Sequence, residues 1–403
     1  MLSTIAFGLL AVTAIGADAA PSPTTISVSP RKISRSSSGS SSRRRAVDPV
    51  NLPLTDLYLN GTDLQWYGNI SVGTPPQVLT VLFDTGSDTL EFSSVECTTC
   101  VGETALFDGS KSSTYTNGGK TSTITFGSGT GVDPVVGDNW TLDLLSGSDV
   151  VSVGGVSAGT VSLFTVTHQT TEFDIDPFTG ILGLGPVSEN FFAGLENSGL
   201  ASLFSFYLTS EKNGNAELTL GGIDTSKYTG DLIYSDLTSG ATYWTLESTG
   251  ISINGQTTAL LGTSRSIIFD TGTSNVMFDT DIAEDIYAGI SADIVPYAAE
   301  PGAYGIDCSK IASLPAVLDV GFKTTAGEAF NLTIPSAELN LGPFPGQTTT
   351  CQTLINAVDG YNLLGASLLK HYYTVFDVGN QKMGFASNGA FISIHSWNIL
   401  TDY

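Results

Sequence analysis

The sequence predicts an all-β chain, β-rich with a few short helices, built from two similar halves. Three observations carry this. Of 403 residues, 45 are glycine, set in a Ser- and Thr-rich background that favours short strands and tight turns over helix bundles. Charged residues make up 13% of the chain and apolar ones 41%, which excludes a disordered acidic polyelectrolyte and supplies a sizeable core. Finally, Phe83-Asp84-Thr85-Gly86-Ser87 recurs as Phe269-Asp270-Thr271-Gly272-Thr273, each copy entered through an apolar run, VLTVLF and SIIF. A given tripeptide such as DTG arises by chance on the order of 0.1 times in a chain of this length, so two copies with matching approaches are a real repeat.

Taken in order, residues 1–20 read as a secretory signal peptide: an apolar stretch from Ile5 to Ile15, too short to span a bilayer, is followed by small residues. Residues 21–45 form a basic, Ser-rich propeptide whose SRSSSGSSSRRR end, just before Ala46, looks like a processing site. The whole chain carries a net charge of -24, which excludes a nucleic-acid binder resting on basic charge. Residues 1–45 hold six of the basic residues and one acid, leaving nine basic against 38 acidic residues beyond them, a net -29 with Arg265 as the only arginine. No later stretch is long and apolar enough for a span, and the FISIHSWNILTDY tail is too mixed for a lipid-anchor signal. The expectation is therefore a secreted, extracellular monomer without a membrane anchor. Asn60, Asn69, Asn139 and Asn331 stand in glycosylation sequons, of which about half are expected to be used in a secreted chain. TDIAEDIYAGISA, at 280–292, predicts a helix with acidic residues at its N-terminus and a scaffold role.

An apolar strand ending in Asp-Thr-Gly puts a short carboxylate at a strand tip, with glycine permitting a tight turn. Either Asp alone reads as a turn-former. As a pair on facing halves, Asp84 and Asp270 would come together, and two carboxyls about 3 Å apart cannot both ionise, so they share a proton. The ionised member can take a proton from water while the protonated one donates to a carbonyl oxygen, which is amide hydrolysis without metal, cofactor or covalent intermediate.

These residues resemble the pepsin-like aspartic peptidases, most closely the secreted fungal ones. WYGNISVGTPPQVLTVLFDTGS at 66–87 is similar to the family's first lobe up to its catalytic loop. FYLTSEKNGNAELTLGGIDTSKY at 206–228 resembles the stretch entering the lobe junction, and 361–386, with LLGASLL and YYTVFDVGNQKMGFA, the final strands. The resemblance implies the bilobal pepsin-like acid-protease fold, with an N-terminal lobe over 46–226, a C-terminal lobe over 227–403 and a pseudo-twofold between them. It implies that Asp84 and Asp270 are the catalytic pair and that Gly86 and Gly272 complete their loops. Thr85 and Thr271 would bond across to the opposite lobe, Ser87 and Thr273 would bond the outer carboxylate oxygens, and Gly183 and Gly365 would lie in the strands supporting each loop. Protein or peptide substrates and pepstatin-type inhibitors are the implied partners. Cys97-Thr98-Thr99-Cys100 reads as a small structural loop rather than a redox or zinc pair, and Cys308 then pairs with Cys351 by default, as in the family pattern.

Some positions depart from the family. The flap hairpin is expected at Ile124–Thr130, with Gly127 and Ser128 at its tip, but Phe126 stands where most relatives have tyrosine and Glu91 where they commonly have tryptophan. Those two side chains hydrogen-bond in the family, so a bond worth about 1 kcal/mol is absent here. Ala366 replaces a common aspartate, which should make the pair easier to ionise. Gly127–Gly131, GSGTG, also resembles a nucleotide-binding loop, but no helix signal follows and a hairpin tip fits better. His168, His371 and His395 lack metal-ligand spacing, so no metal is expected, and no G-x-S-x-G elbow is present. The expected activity is a secreted, acid-acting aspartic endopeptidase made as a zymogen. The altered flap motivates a competing reading, a non-catalytic binding protein on the same fold, and the Thr-rich surface a third, a structural wall glycoprotein.

Overall fold

A computed structural model of the chain describes residues 47–59, 62–100, 105–135, 137–187, 189–210 and 212–388. The expected signal peptide and propeptide, Asn60 and His395 lie outside them. Strands dominate, and the longest of the four α-helices among the described residues runs Thr280–Ile290. Its Ile282, Ala283, Ile286 and Tyr287 are buried, an apolar stripe at helical spacing. The Tyr287 hydroxyl donates to the Ile355 carbonyl (2.7 Å), pinning this helix to the sheet beneath it.

The first half is built on an eight-stranded sheet, in the order Thr55–Leu59, Thr62–Val72, Gln77–Asp84, Gly180–Gly183, Leu90–Ser93, Val156–Gln169, Thr141–Val153, Thr116–Thr125. The second half has a five-stranded sheet that runs Thr245–Ser248, Arg265–Phe269, Leu363–Leu364, Val276–Phe278, Ile355–Ala357, with smaller sheets around it. The sequence repeat is a topological repeat. In the first half Gln77–Asp84 pairs in parallel with Gly180–Gly183, which pairs antiparallel with Leu90–Ser93. In the second, Arg265–Phe269 pairs in parallel with Leu363–Leu364, which pairs antiparallel with Val276–Phe278. Each Asp-Thr-Gly loop thus leaves a strand with a neighbour on either side, and residues 81–84, which end the first of them, are buried on both faces.

A six-stranded sheet joins the halves, because Phe204–Tyr207 of the first pairs antiparallel with Tyr372–Asp377 of the second. Phe204, Phe206, Trp244 and Phe376 pack there with ring centroids 4.9–5.9 Å apart, and such stacked and edge-on contacts add to the burial of large aromatic surfaces. The Trp244 indole N–H donates to the Leu184 carbonyl (2.7 Å), and Trp66 to that of Thr209 (2.8 Å), so each ring's one polar atom is satisfied. Disulfides join Cys97 to Cys100 and Cys308 to Cys351.

One element differs from its expectation. Thr116–Thr125 and Thr141–Val153 pair as a hairpin, but the last rung is Phe126 N–H to the Trp140 carbonyl (2.8 Å). The flap is therefore no tight turn ending at Thr130, and its tip is a long loop between Phe126 and Trp140. The reason lies in the other half of the molecule. The Val132 carbonyl accepts from the side-chain amides of Asn275 (3.1 Å), Gln352 (2.9 Å) and Asn356 (3.0 Å). Three donors on one acceptor hold the loop across the cleft.

Candidate active site

Asp84 ends one central strand and Asp270 directly follows the other. Both side chains are buried, and their carboxyls are in hydrogen-bond contact. Each loop repeats the same bonds. Asp84 Oδ1 accepts from the Gly86 N–H (2.8 Å) and its Oδ2 from the Ser87 hydroxyl (2.5 Å). Asp270 Oδ1 accepts from the Gly272 N–H (2.7 Å) and its Oδ2 from the Thr273 hydroxyl (2.6 Å).

The threonines lock the halves together. The Thr85 hydroxyl donates to the Phe269 carbonyl (3.0 Å) and accepts from the Thr271 N–H (2.9 Å), while the Thr271 hydroxyl donates to the Phe83 carbonyl (2.7 Å) and accepts from the Thr85 N–H (3.0 Å). Behind them the Leu184 N–H donates to the Asp84 carbonyl (2.6 Å), and the Asp270 N–H to that of Leu364 (3.2 Å). A Cβ on Gly183 would come within 2.6 Å of the Ser87 carbonyl, and one on Gly365 would collide with that of Asn275.

The loop glycines have a different reason from the one the sequence suggests. Neither Gly86 nor Gly272 has a positive φ. A Cβ on Gly86 would instead stand 2.5–2.6 Å from the Asp270 carboxyl, and one on Gly272 would collide with Asp84 Oδ1. Each glycine lets the opposite carboxyl approach.

Burial, then the Asp270 charge and hydrogen bond, push the Asp84 carboxyl well above the usual carboxylate range, against the lowering effect of Ser87 and Gly86. The proton is best assigned to the pair. Around it lies an open cavity, whose volume of about 480 Å³ includes space open to solvent, lined by apolar rings from Phe126, Trp140, Phe173 and Phe178, with Gln65, Ser128 and Thr130 as polar neighbours. The Phe126 ring, lacking a hydroxyl, packs edge-on against Phe173 (6.0 Å), as does Trp140 (4.8 Å). Ser128 and Thr273 hydroxyls lie 2.7 Å apart, bringing the flap loop to the Asp270 loop. Gly127 passes so close to the Tyr361 hydroxyl that a Cβ would collide with it.

Gln65, Trp140, Phe173 and Tyr361 have no signal in the sequence that marks them as site residues. Gln65 donates to the Gly272 carbonyl and accepts from the Thr130 hydroxyl (2.5 Å), tying the loop after Phe126 to the Asp270 loop across more than 200 residues. Only its place just before the Trp66 segment, inside the resembling stretch, could have pointed to it.

Glu91 is fully buried on Leu90–Ser93, where its neighbours in the sheet are Phe164 and Ile181. Neither carboxylate oxygen meets a partner at good hydrogen-bond geometry. Burial pushes the group up to about 7, and the Thr89 hydroxyl relieves only part of that cost. Ala366 is buried and its N–H donates to the Thr273 carbonyl (2.8 Å). His371 meets Glu338 (3.1 Å) and His168 approaches Asp143 (4.0 Å), both far in sequence from the Asp-Thr-Gly loops. Of the sequons, Asn69 and Asn139 are exposed and Asn331 is half-buried.

The family model for eukaryotic aspartyl protease matches residues 65–388. Cathepsin D of Dictyostelium discoideum is 34% identical over 360 residues, covering 84% of this chain and 86% of its own length. Pepsin-2B of Gadus morhua is 33% identical, covering 83% of this chain and 99% of its own length. Rhizopuspepsin-4 of the fungus Rhizopus niveus is 30% identical, covering 81% and 77%. The chain belongs to the eukaryotic aspartyl protease family and is a pepsin-like, aspartic-type endopeptidase.

Proposed function

We propose that this is a secreted, acid-acting endopeptidase in which Asp84 and Asp270 jointly activate water against a peptide bond. The observation that carries the reading is the pair of buried carboxyls in hydrogen-bond contact at the floor of an apolar cleft. At acid pH the pair holds one proton, the arrangement known for aspartic proteases. The ionised carboxyl takes a proton from the attacking water and the protonated one donates to the substrate carbonyl oxygen. Collapse of the tetrahedral intermediate breaks the C–N bond and returns a proton to the leaving amine. The apolar rings would receive hydrophobic residues beside the cut, and the flap loop would close over an extended peptide. Activation would remove residues 21–45, and pepstatin-type compounds would occupy the cleft.

The test is digestion of denatured globin from pH 2.5 to 7, with and without pepstatin. Cleavage is expected at acid pH, blocked by pepstatin and abolished in Asp84→Asn and Asp270→Asn without loss of fold. Retained cleavage in either variant would sink the assignment of the pair. The contact of Ser128 with Thr273 keeps the binding-protein reading in play, and pepstatin binding without turnover would favour it.

A further inference from the structure

Beside the catalytic cavity lies a second pocket, whose volume of about 320 Å³ includes space open to solvent, and Glu91 lines it. The two share Phe173, Asp176, Phe178 and Ile181 as lining residues, so they adjoin. Leu142, Val166, Phe178 and Ile181 make the second cavity's wall largely apolar. Against that wall sits a carboxyl that is fully buried and has neither oxygen satisfied. A buried acceptor without a partner costs what a hydrogen bond to it would restore, and a buried charge costs more.

We propose that Glu91 makes this cavity a subsite for a lysine or arginine side chain of the substrate, whose aliphatic stem lies along the apolar wall and whose cation meets the carboxylate. This rests on the reading of the neighbouring cleft as a peptide-cleaving site. The chemistry on the page selects a cation. An apolar side chain would leave Glu91 with no more than the partial relief from Thr89, and an acidic one would be repelled. Among the described residues no Lys, Arg or His lines the cavity, and the only other titratable group that does is a second carboxylate, Asp176, half-buried on the segment leading to Gly180–Gly183. The flanking strands Thr141–Val153, Val156–Gln169 and Gly180–Gly183 contribute to it Leu142, Val166, Gln169, Gly180 and Ile181, none of which titrates. A long stem in an apolar sleeve with its charge at a polar end is how Lys and Arg bury favourably.

The subsite carries a pH signature. Without substrate, burial keeps Glu91 largely protonated below about 7, and an arriving cation must draw that proton off. Preference for lysine over an uncharged isostere should therefore grow as pH rises from about 4.5 towards about 7.

The experiment uses paired peptides that differ only in lysine or norleucine, scanned through each position flanking the scissile bond. Each pair is made both as a substrate and as a statine-containing inhibitor, and is measured at pH 4, 5.5 and 7. At one position lysine should be favoured by about tenfold in kcat/KM and in inhibitor Kd at pH 5.5. The ratio should climb with pH, collapse in Glu91→Gln and Glu91→Leu, and survive in part in Glu91→Asp. Absence of a lysine preference at every position overturns the proposal, as does a preference that outlives Glu91→Gln. If those variants fail to fold, a lysine-to-norleucine ratio in the wild-type protein that stays flat with pH overturns it equally. Lysine-selective inhibitor binding without cleavage of any peptide would leave the subsite standing and remove the peptidase reading. Globin digestion without lysine selectivity would do the reverse.

Discussion

Gly86 and Gly272 each occupy the space that the opposite half's carboxyl needs. Adding one methyl group at either position must push the two carboxyls apart or twist a loop whose bonds run through Thr85 and Thr271. Gly86→Ala is therefore expected to lower kcat by roughly a hundredfold, the usual cost of misplacing reacting groups by about 1 Å. Because the fault lies in geometry rather than in substrate contacts, KM should move little, and pre-steady-state kinetics on a chromogenic peptide would show the split. Unchanged kcat would mean that the loops yield freely and that the glycines matter for folding alone. At this scale the sequence was legible where the signal was local and doubled. The two Asp-Thr-Gly copies point to Asp84 and Asp270, and both loops do turn at their glycines, but what requires glycine there is the carboxyl of the other copy, which no local pattern shows. Glu91 stands out as a departure from the family, yet nothing in SDTLEF tells that it is buried beside a cavity built by Leu142, Val166 and Phe173.

The flap loop shows the same limit among elements. ITFGSGT predicts a hairpin over 124–130, and the strands on both sides do pair. What stretches the tip is the trio Asn275, Gln352 and Asn356 on Val132, residues no local pattern links to a glycine-rich loop. The next residue in the loop, Asp133, reaches Glu300 of the second half, and the two carboxyls hydrogen-bond. Partial burial, then the Asp133 charge and this bond, raise Glu300 from an ordinary 4.5 to about 7. A carboxyl whose pKa is raised by docking favours the docked state fully below its undocked value and loses that contribution as pH climbs through the docked one. The latch is thus closed at pH 4.5 and weakens towards pH 7. Amide exchange at residues 128–135, corrected for intrinsic rates, should be slower at pH 4.5 than at pH 7. Glu300→Gln, which donates to Asp133 whatever the pH, should remove most of that difference. Equal protection at both pH values in the wild-type protein would show that the amide trio alone holds the loop.

For the whole molecule the same carboxylates act through their number. The two halves share a sheet at Phe204–Tyr207 and Tyr372–Asp377 and a single aromatic cluster, so charge on one half bears on the stability of the other. Beyond residue 45 the chain has nine basic and 38 acidic side chains. Near pH 7 almost all of these acids are ionised, and self-repulsion opposes the compact state, whereas at pH 4 many are neutral. The propeptide expected at 21–45 carries all six basic residues of the first 45, and held near the acidic body it would offset part of that charge during transit at neutral pH. The precursor and the chain cut after Arg45 should therefore unfold at similar temperatures at pH 4, while at pH 7 the cut chain should unfold lower, by about 1–2 °C for each kcal/mol lost in a protein of this size. Raising ionic strength to 1 M shortens the screening length to about 3 Å and should close most of that gap at pH 7, with little effect at pH 4. A gap equal at both pH values, or one indifferent to salt, would mean that the propeptide stabilises by packing and that its arginines serve only the processing enzyme.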